Sequence, residues 1–286
     1  MKPSGKVFLV GAGPGDAGLL TLRAKELLTS CDTVIYDALV NPDLLHFAPL
    51  QAERIFVGKR CGKISWKQDE IHALLAERAA WGELVVRLKG GDPFLFGRGG
   101  EEAEFLTARR IAWEVVPGVS SALAAPAAAA IPVTHRGLSS SVAIVTAHEH
   151  GESAGAVNWN ALATAVDTLV VMMGATRLAS ICERIITGGR APETPAAVVQ
   201  WGTYSYQRVV HAPLSQIAAR AAEQNFGSPA ILVVGDVAAL GEQLHDQLPG
   251  RLAEILPAGI ASGIPSGIGD PLPGIPQPPW LDGGGD

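Results

Sequence analysis

The stretch that decides the fold is VGAGPGDAGLLTLRAKELLTSCDTVIYDALV, residues 10–40. It opens at the end of an apolar run, Val7-Phe8-Leu9-Val10, and passes through Gly11, Gly13, Gly15 and Gly18 into a helix-like run. A second apolar run, Thr33-Val34-Ile35-Tyr36, follows and ends on Asp37. Strand, glycine turn, helix and strand in this order make a unit whose two strands lie parallel in one sheet. Residues 13–18 fit G-x-G-x-x-G, and Asp37 stands about where a ribose-binding acid is expected in a dinucleotide fold. On this loop alone an NAD-dependent dehydrogenase is a candidate. Pro14 counts against it, because proline stiffens the turn where the loop must wrap a pyrophosphate. No Lys-Ser or Lys-Thr pair follows the glycines, so the loop is not a P-loop.

Working outward, the alternation continues. Strands are expected at 6–10, 33–36, 54–57, 83–88 and 113–116. Helices are expected at 19–28, 67–80 (with Ser65 as its cap), 101–109 and 120–130, and a short one at 42–47. This pattern implies a parallel sheet covered on both faces. After Ile131-Pro132-Val133-Thr134-His135-Arg136-Gly137 it restarts, with strands at 141–146 and 168–172 and a helix at 178–186. Runs at 196–200 and 207–211, joined by a short polar link with Gly202-Thr203-Tyr204-Ser205, read as an antiparallel hairpin, and 231–234 is a last strand. The fold class is therefore α/β in two domains, 1–134 with a parallel sheet and 138–245 with a mixed sheet. Pro, Gly and Ser dominate the remainder, and 246–286 is expected to be a disordered tail that buries too little apolar surface to offset chain entropy.

Composition narrows the function classes. The 286 residues are 48% hydrophobic and 17% charged, with a net charge of −6. That balance argues against a general nucleic-acid binder, which needs a basic footprint. Three cysteines, Cys31, Cys61 and Cys182, are far apart and form no C-x-x-C pair, so neither a disulfide framework nor a metal site is expected. His135 lacks partner spacing for a metal ligand. No apolar run approaches the roughly 20 residues that span a bilayer. The first five residues lead straight into a strand with no signal-peptide core, so a cytoplasmic location is expected.

Two further loops carry the functional reading. RLKGGDPFLFGRGGEE (87–102) follows one strand and precedes a helix, and PGVSS (117–121) ends the next strand. In an open parallel sheet these share the carboxyl edge with the first loop, and together they make a cleft walled mostly by backbone. Such a cleft suits a flat, polar cofactor. Asp92 is placed either to accept hydrogen bonds from a ligand hydroxyl or amine, or to close a turn. Asp37 by position alone is either a ribose-binding acid or the start of a turn.

In order and spacing, VGAGPGD, YDALV, VGKR, RLKGGDPFLFGRGGEE, VPGVSSA and IPVTHR resemble the uroporphyrinogen-III C-methyltransferases of the tetrapyrrole methylase family. The resemblance covers roughly residues 6–240. It implies two α/β domains with S-adenosylmethionine in a cleft between them, S-adenosylhomocysteine as the spent cofactor, and a homodimer. It carries cofactor contacts to Pro14, Gly90, Gly91, Asp92, Leu95, Ser120, Ser121, Met173 and Gly202. It makes Asp37 the proton acceptor and Lys59 the proton donor. The substrate bears several acetates and propionates, so Arg60, Lys63, Arg98, His135 and Arg136 are expected to meet carboxylates. The implied reaction is transfer of two methyl groups to uroporphyrinogen III, through precorrin-1 to precorrin-2. A methylase of a later precorrin, the dehydrogenase above and a non-catalytic cofactor sensor stand as alternatives.

Overall fold

The computed structural model describes residues 5–58, 66–147 and 157–245. Strands β1 (Lys6–Gly11), β2 (Thr33–Tyr36), β3 (Glu53–Phe56), β4 (Leu84–Lys89) and β5 (Ala112–Val116) pair in the order β3-β2-β4-β1-β5. Every pairing is parallel, as the alternation requires. Helices α1 (Leu22–Ser30), α2 (Gln68–Ala80) and α3 (Gly99–Ala108) make the crossovers, and α4 (Ser121–Ala128) leads out of the sheet. The chain steps outward through β2 and β3, then turns back and inserts β4 between β2 and β1. The carboxyl ends of β4, β1 and β5 thus become neighbours, at the kind of topological switch where open α/β sheets bind ligands.

The second sheet contains β6 (Val142–Thr146), β7 (Thr168–Met172), β8 (Pro195–Gln200), β9 (Arg208–Pro213) and β10 (Ala230–Val234), ordered β6-β7-β10-β8-β9. Only β6 and β7 pair in parallel among these strands; the other three pairings are antiparallel, including the expected hairpin of β8 and β9. Helices α5 (Trp159–Ala165), α6 (Leu178–Thr187), α7 (Ile217–Glu223) and α8 (Val237–His245) complete this half. The two α/β domains lie within one compact unit that ends at His245. The tail expected at 246–286 lies outside the described residues.

Each sheet has its own core. In the first, Val7, Leu9 and Val85 pack against Leu74 and Leu75 of α2 and Leu106 of α3. In the second, Leu169, Val171 and Leu232 pack against Ile181 and Ile185 of α6 and Ile217 of α7. Helix α4 belongs by sequence to the first half but packs on the second sheet, with Ala122, Ala125 and Ala129 against Val170, Ala197 and Val199. Its small side chains allow that close approach. Cys31 and Cys182 are buried and free, and burial pushes their thiols up to about 11 and about 12, which leaves both protonated.

The short helix expected at 42–47 is present as a 3-10 helix, with the Asn41 side chain accepting from the Asp43 N–H. Two local readings are corrected. Helix α1 starts later than the apolar run suggests, because Thr21 caps it by accepting from the Ala24 N–H at 3.2 Å. Lys67, not Ser65, precedes α2. The Glu70 carboxylate reaches back to the Lys67 N–H at 2.6 Å, so the helix start is fixed by an acid in its first turn. Ser65 itself lies outside the described residues.

Where β1 ends, a Cβ on Gly11 would stand 2.5 Å from the Gly118 Cα and 2.7 Å from the Gly91 carbonyl oxygen. All of these obstacles are backbone, so none can swing aside. Gly11→Ala is expected to lower stability by about 1–3 kcal/mol, the usual cost of overpacking. Gly100→Ala is the control, since its Cβ would meet nothing within 4 Å. Thermal unfolding of the two variants measures the difference, and equal melting temperatures would contradict the close-approach argument.

Candidate active site

Four loops meet at the carboxyl edge of the first sheet. The loops after β1 and β4 exchange two backbone hydrogen bonds, Gly13 N–H to Gly91 O at 3.2 Å and Gly91 N–H to Gly13 O at 2.7 Å. The loop after β5 joins them through Asp92, whose Oδ2 accepts from the Gly118 N–H at 3.0 Å. Its Oδ1 accepts from the Phe94 N–H at 2.8 Å. Asp92 therefore closes its own turn and ties two loops together. The loop after β2 lies against Gly90, where a Cβ would stand 3.1 Å from that of Leu39. Asn41 of the same loop donates to Gly15 O at 2.8 Å.

Gly91 differs from its neighbours. Its φ is +68°, in the region that favours glycine, and the nearest atom to a Cβ built there is the Ser121 backbone nitrogen at 3.8 Å. Bare backbone thus faces open space beside the start of α4. Ser120 caps that helix, accepting from the Ala122 N–H at 3.2 Å. Leu95, half-buried, packs on the apolar cluster beneath α4. So Pro14, Gly90, Gly91, Asp92, Leu95, Ser120 and Ser121 are brought to one edge.

The second half reaches this edge through the link between β8 and β9. Thr203 Oγ1 accepts from the Asp16 N–H at 3.0 Å, the Tyr204 ring covers Gly15, and Gly202 sits against Ala125 of α4. A Cβ on Gly202 would come 2.7 Å from the Ala125 Cα. Met173 follows β7 with φ +55° and is half-exposed. β7 and β8 are each antiparallel to β10, so Met173 and Gly202 share one edge of the second sheet. Thr203, Tyr204 and Asn41 escaped sequence reasoning; a polar link between hairpin strands carries no mark of the distant loop it will touch.

The predicted basic residues divide. Lys59, Arg60 and Lys63 lie outside the described residues. Arg98 immediately precedes α3 and donates from Nε and Nη2 to the Glu101 carboxylate, at 2.9 and 2.7 Å. His135 and Arg136 occupy an exposed turn closed by two backbone hydrogen bonds between His135 and Ser139. Ser139 Oγ meets Thr168 Oγ1 at 2.8 Å, where β7 begins. Within this chain the turn is therefore at the opposite end of β7 from Met173.

Beneath the loops lies a charge cluster. Asp37 follows β2, and its backbone carbonyl, not its side chain, accepts from the Val40 N–H to close the turn. The carboxylate instead takes a 2.7 Å hydrogen bond at Oδ1 from Arg87 Nη2. Arg87 Nε and Lys89 Nζ both donate to Glu102 Oε1, at 3.1 and 3.0 Å. Gln68 of α2 adds a 3.4 Å contact to the same oxygen. Arg87, Lys89 and Glu102 are buried, whereas the Asp37 side chain is 30% exposed. Burial, and then the neighbouring Arg87 charge, pulls the Lys89 ammonium below its usual range. Glu102 Oε2 is buried with no hydrogen-bond partner among the described residues, which costs about 1–3 kcal/mol or more for a charged group. Arg87 and Lys89, at i and i+2 on one face of a central strand, were the signal that a buried anion had to lie opposite.

If Asp92 ties the loops, Asp92→Ala leaves two backbone N–H groups without their acceptor. The expected loss is about 1–3 kcal/mol of stability. Faster amide exchange at Phe94 and Gly118 than in the wild type is the accompanying sign, and unchanged exchange there would show that the loops hold without it.

The family model of Tetrapyrrole (Corrin/Porphyrin) Methylases matches residues 6–218. An S-adenosyl-L-methionine-dependent uroporphyrinogen III methyltransferase of Methanosarcina barkeri is 48% identical over 248 residues, covering 86% of this chain and 97% of that protein. The crystal structure of a uroporphyrin-III C-methyltransferase from Thermus thermophilus, complexed with S-adenosylhomocysteine, is similar at 41% identity and a TM-score of 0.70. It covers 82% of this chain and 99% of that one. A cobalt precorrin-4 methyltransferase structure aligns with a TM-score of 0.74 at 26% identity, over 82% of this chain and 95% of that one. With the loops, the two sheets and these likenesses in agreement, the chain belongs to the tetrapyrrole methylase family.

Proposed function

We propose that this chain is an S-adenosylmethionine-dependent uroporphyrinogen-III C-methyltransferase that adds two methyl groups, giving precorrin-2 through precorrin-1. The observation that carries the reading is the likeness at 48% identity to a relative of that named activity, over 97% of the relative's length. The lower identity of 26% to a later-precorrin methylase favours the early substrate. The proposed division between the domains falls at 134–138, beside the His135–Ser139 turn. A homodimer in the cytoplasm is part of the same proposal.

The residues fit the cofactor. Bound S-adenosylmethionine supplies an activated methyl group. Gly91 offers unobstructed backbone, and Tyr204, in the link between β8 and β9, covers Gly15. What remains for the protein is to align a nucleophilic ring carbon and to keep water out, so positioning supplies much of the rate. A proton must leave the substrate as conjugation changes. Asp37, half-exposed and held at one oxygen, is the proposed acceptor. Lys59 is the proposed donor, and Arg60, Lys63, Arg98, His135 and Arg136 the proposed carboxylate contacts. Arg98 has to leave Glu101 to serve in this way.

The direct test incubates purified protein with uroporphyrinogen III and labelled S-adenosylmethionine and weighs the product. Two added methyl groups are expected; no methylated product would overturn the reading. Gly91→Arg, with its melting temperature measured because φ +68° strains any side chain there, should lose S-adenosylhomocysteine binding by calorimetry as the side chain fills the open space over the loop. Binding at wild-type strength would move the cofactor site elsewhere. Asp37→Asn should lower kcat roughly 10²–10⁴-fold, as loss of a general base does, with little change in cofactor affinity. Near-wild-type turnover would remove Asp37 from the reaction, and a parallel fall in cofactor affinity would make it a ribose ligand instead.

A further inference from the structure

We propose that Glu102 and Lys89, acting through Arg87, are positioning residues that aim the Asp37 carboxylate; the proposal rests on Asp37 being the proton acceptor. None of the three reaches substrate. All are buried, and only Asp37 among the four opens to the surface. The connection is continuous. Glu102, in the first turn of α3, holds Arg87 by Nε at 3.1 Å. The guanidinium is planar, so fixing that edge fixes the direction of Nη2, which reaches Asp37 Oδ1 at 2.7 Å. Arg87 is further braced by Nη1 contacts to the Ile35 and Leu88 carbonyls at 3.4 and 3.3 Å. Lys89 shares Glu102 Oε1 and stands 3.9 Å from Asp37 Oδ2, too far for a hydrogen bond. One carboxylate oxygen of Asp37 is thus anchored, while the other receives no hydrogen bond from the cluster.

The arrangement is poor as a fold bolt. An ion pair of Arg87 with Glu102 alone would join β4 to α3. Instead, two cations crowd one oxygen of Glu102 while its other oxygen, though buried, has no partner among the described residues. Such an arrangement is what positioning asks for: the donors must point where Asp37 needs them, not where Glu102 is best satisfied. The glutamate fixes the spacing of Arg87 and Lys89, and these fix the carboxylate.

A double-mutant cycle tests this. Single-turnover methylation rates, substrate KM, cofactor dissociation constant and melting temperature are measured for Glu102→Gln, Asp37→Asn and the pair, below the melting temperature of each. Glu102→Gln should slow turnover about tenfold or more, with KM and cofactor affinity within about twofold, as expected for loss of alignment alone. In the Asp37→Asn background it should have no further effect, because residues acting as one unit are not additive. Lys89→Met keeps Arg87 between two carboxylates and should give the same pattern with a smaller effect; it serves in place of Glu102→Gln if that variant does not fold. Equal fold-losses in both backgrounds, or a lower melting temperature with unchanged turnover, would overturn the proposal and leave the cluster a structural joint. In those cases Asp37→Asn still stands as slow. Fast Asp37→Asn would instead overturn the reading of Asp37, and the positioning proposal with it.

Discussion

Backbone meets backbone where β1, β4 and β5 end, at a separation that admits no side chain. Gly11, Gly91 and Gly118 approach so closely that a Cβ on Gly11 or Gly118 would collide with main-chain atoms of the others. This contact is possible only because β4 inserts beside β1 while β5 flanks its other side. Everything above the sheet follows from it. The loops can share hydrogen bonds from Gly13 to Gly91 and through Asp92 to Gly118. The same closeness leaves Gly91 with open space on its other side. A cradle of main-chain groups results, and its shape is set by strand order rather than by any one side chain.

The charged layer beneath has a different logic. Buried ions are costly unless paired, and pairing restores only part of the loss. The four groups Asp37, Arg87, Lys89 and Glu102 balance in formal charge, which keeps the cluster tolerable in an apolar sheet. It does not make it an efficient source of stability, since Glu102 Oε2 is buried without a hydrogen-bond partner among the described residues. The Gln68 amide extends the cluster toward His72, whose ring stacks on Phe105 at 4.6 Å between centroids. The cluster thus ties the cleft floor to the helices behind the sheet.

The second half contributes a cover rather than a floor. The link between β8 and β9 carries two non-glycine residues with positive φ, Trp201 and Thr203. Such backbone is retained where surrounding contacts over-determine it. Here Thr203 accepts from Asp16, and the Thr203 N–H donates to Gln207, which in turn donates to the Ala128 carbonyl. The link is thus anchored outside itself at Asp16 and, through Gln207, at the Ala128 carbonyl of α4.

Local periodicity was enough to determine the elements of both sheets, the all-parallel first half and the hairpin in the second, because hydrophobic spacing and glycine turns are properties of neighbouring residues. The helices at Trp159–Ala165, Ile217–Glu223 and Val237–His245 were not legible. Two are only seven residues long, too short to hold as helices by propensity alone, so packing of Trp159, Ala163, Ile217 and Ala221 on the second core stabilises them. The glycine motifs marked Gly90, Gly91 and Ser120 as cleft residues, since main-chain freedom is written in residue type. The pairing of Arg87 with Asp37 spans 50 residues and depends on β4 lying beside β2, while that of Arg87 with Glu102 spans 15 and depends on α3 packing back on the sheet. By the same order the His135 turn stands at the start of β7 and Met173 at its end, a separation that motif spacing along the chain does not contain.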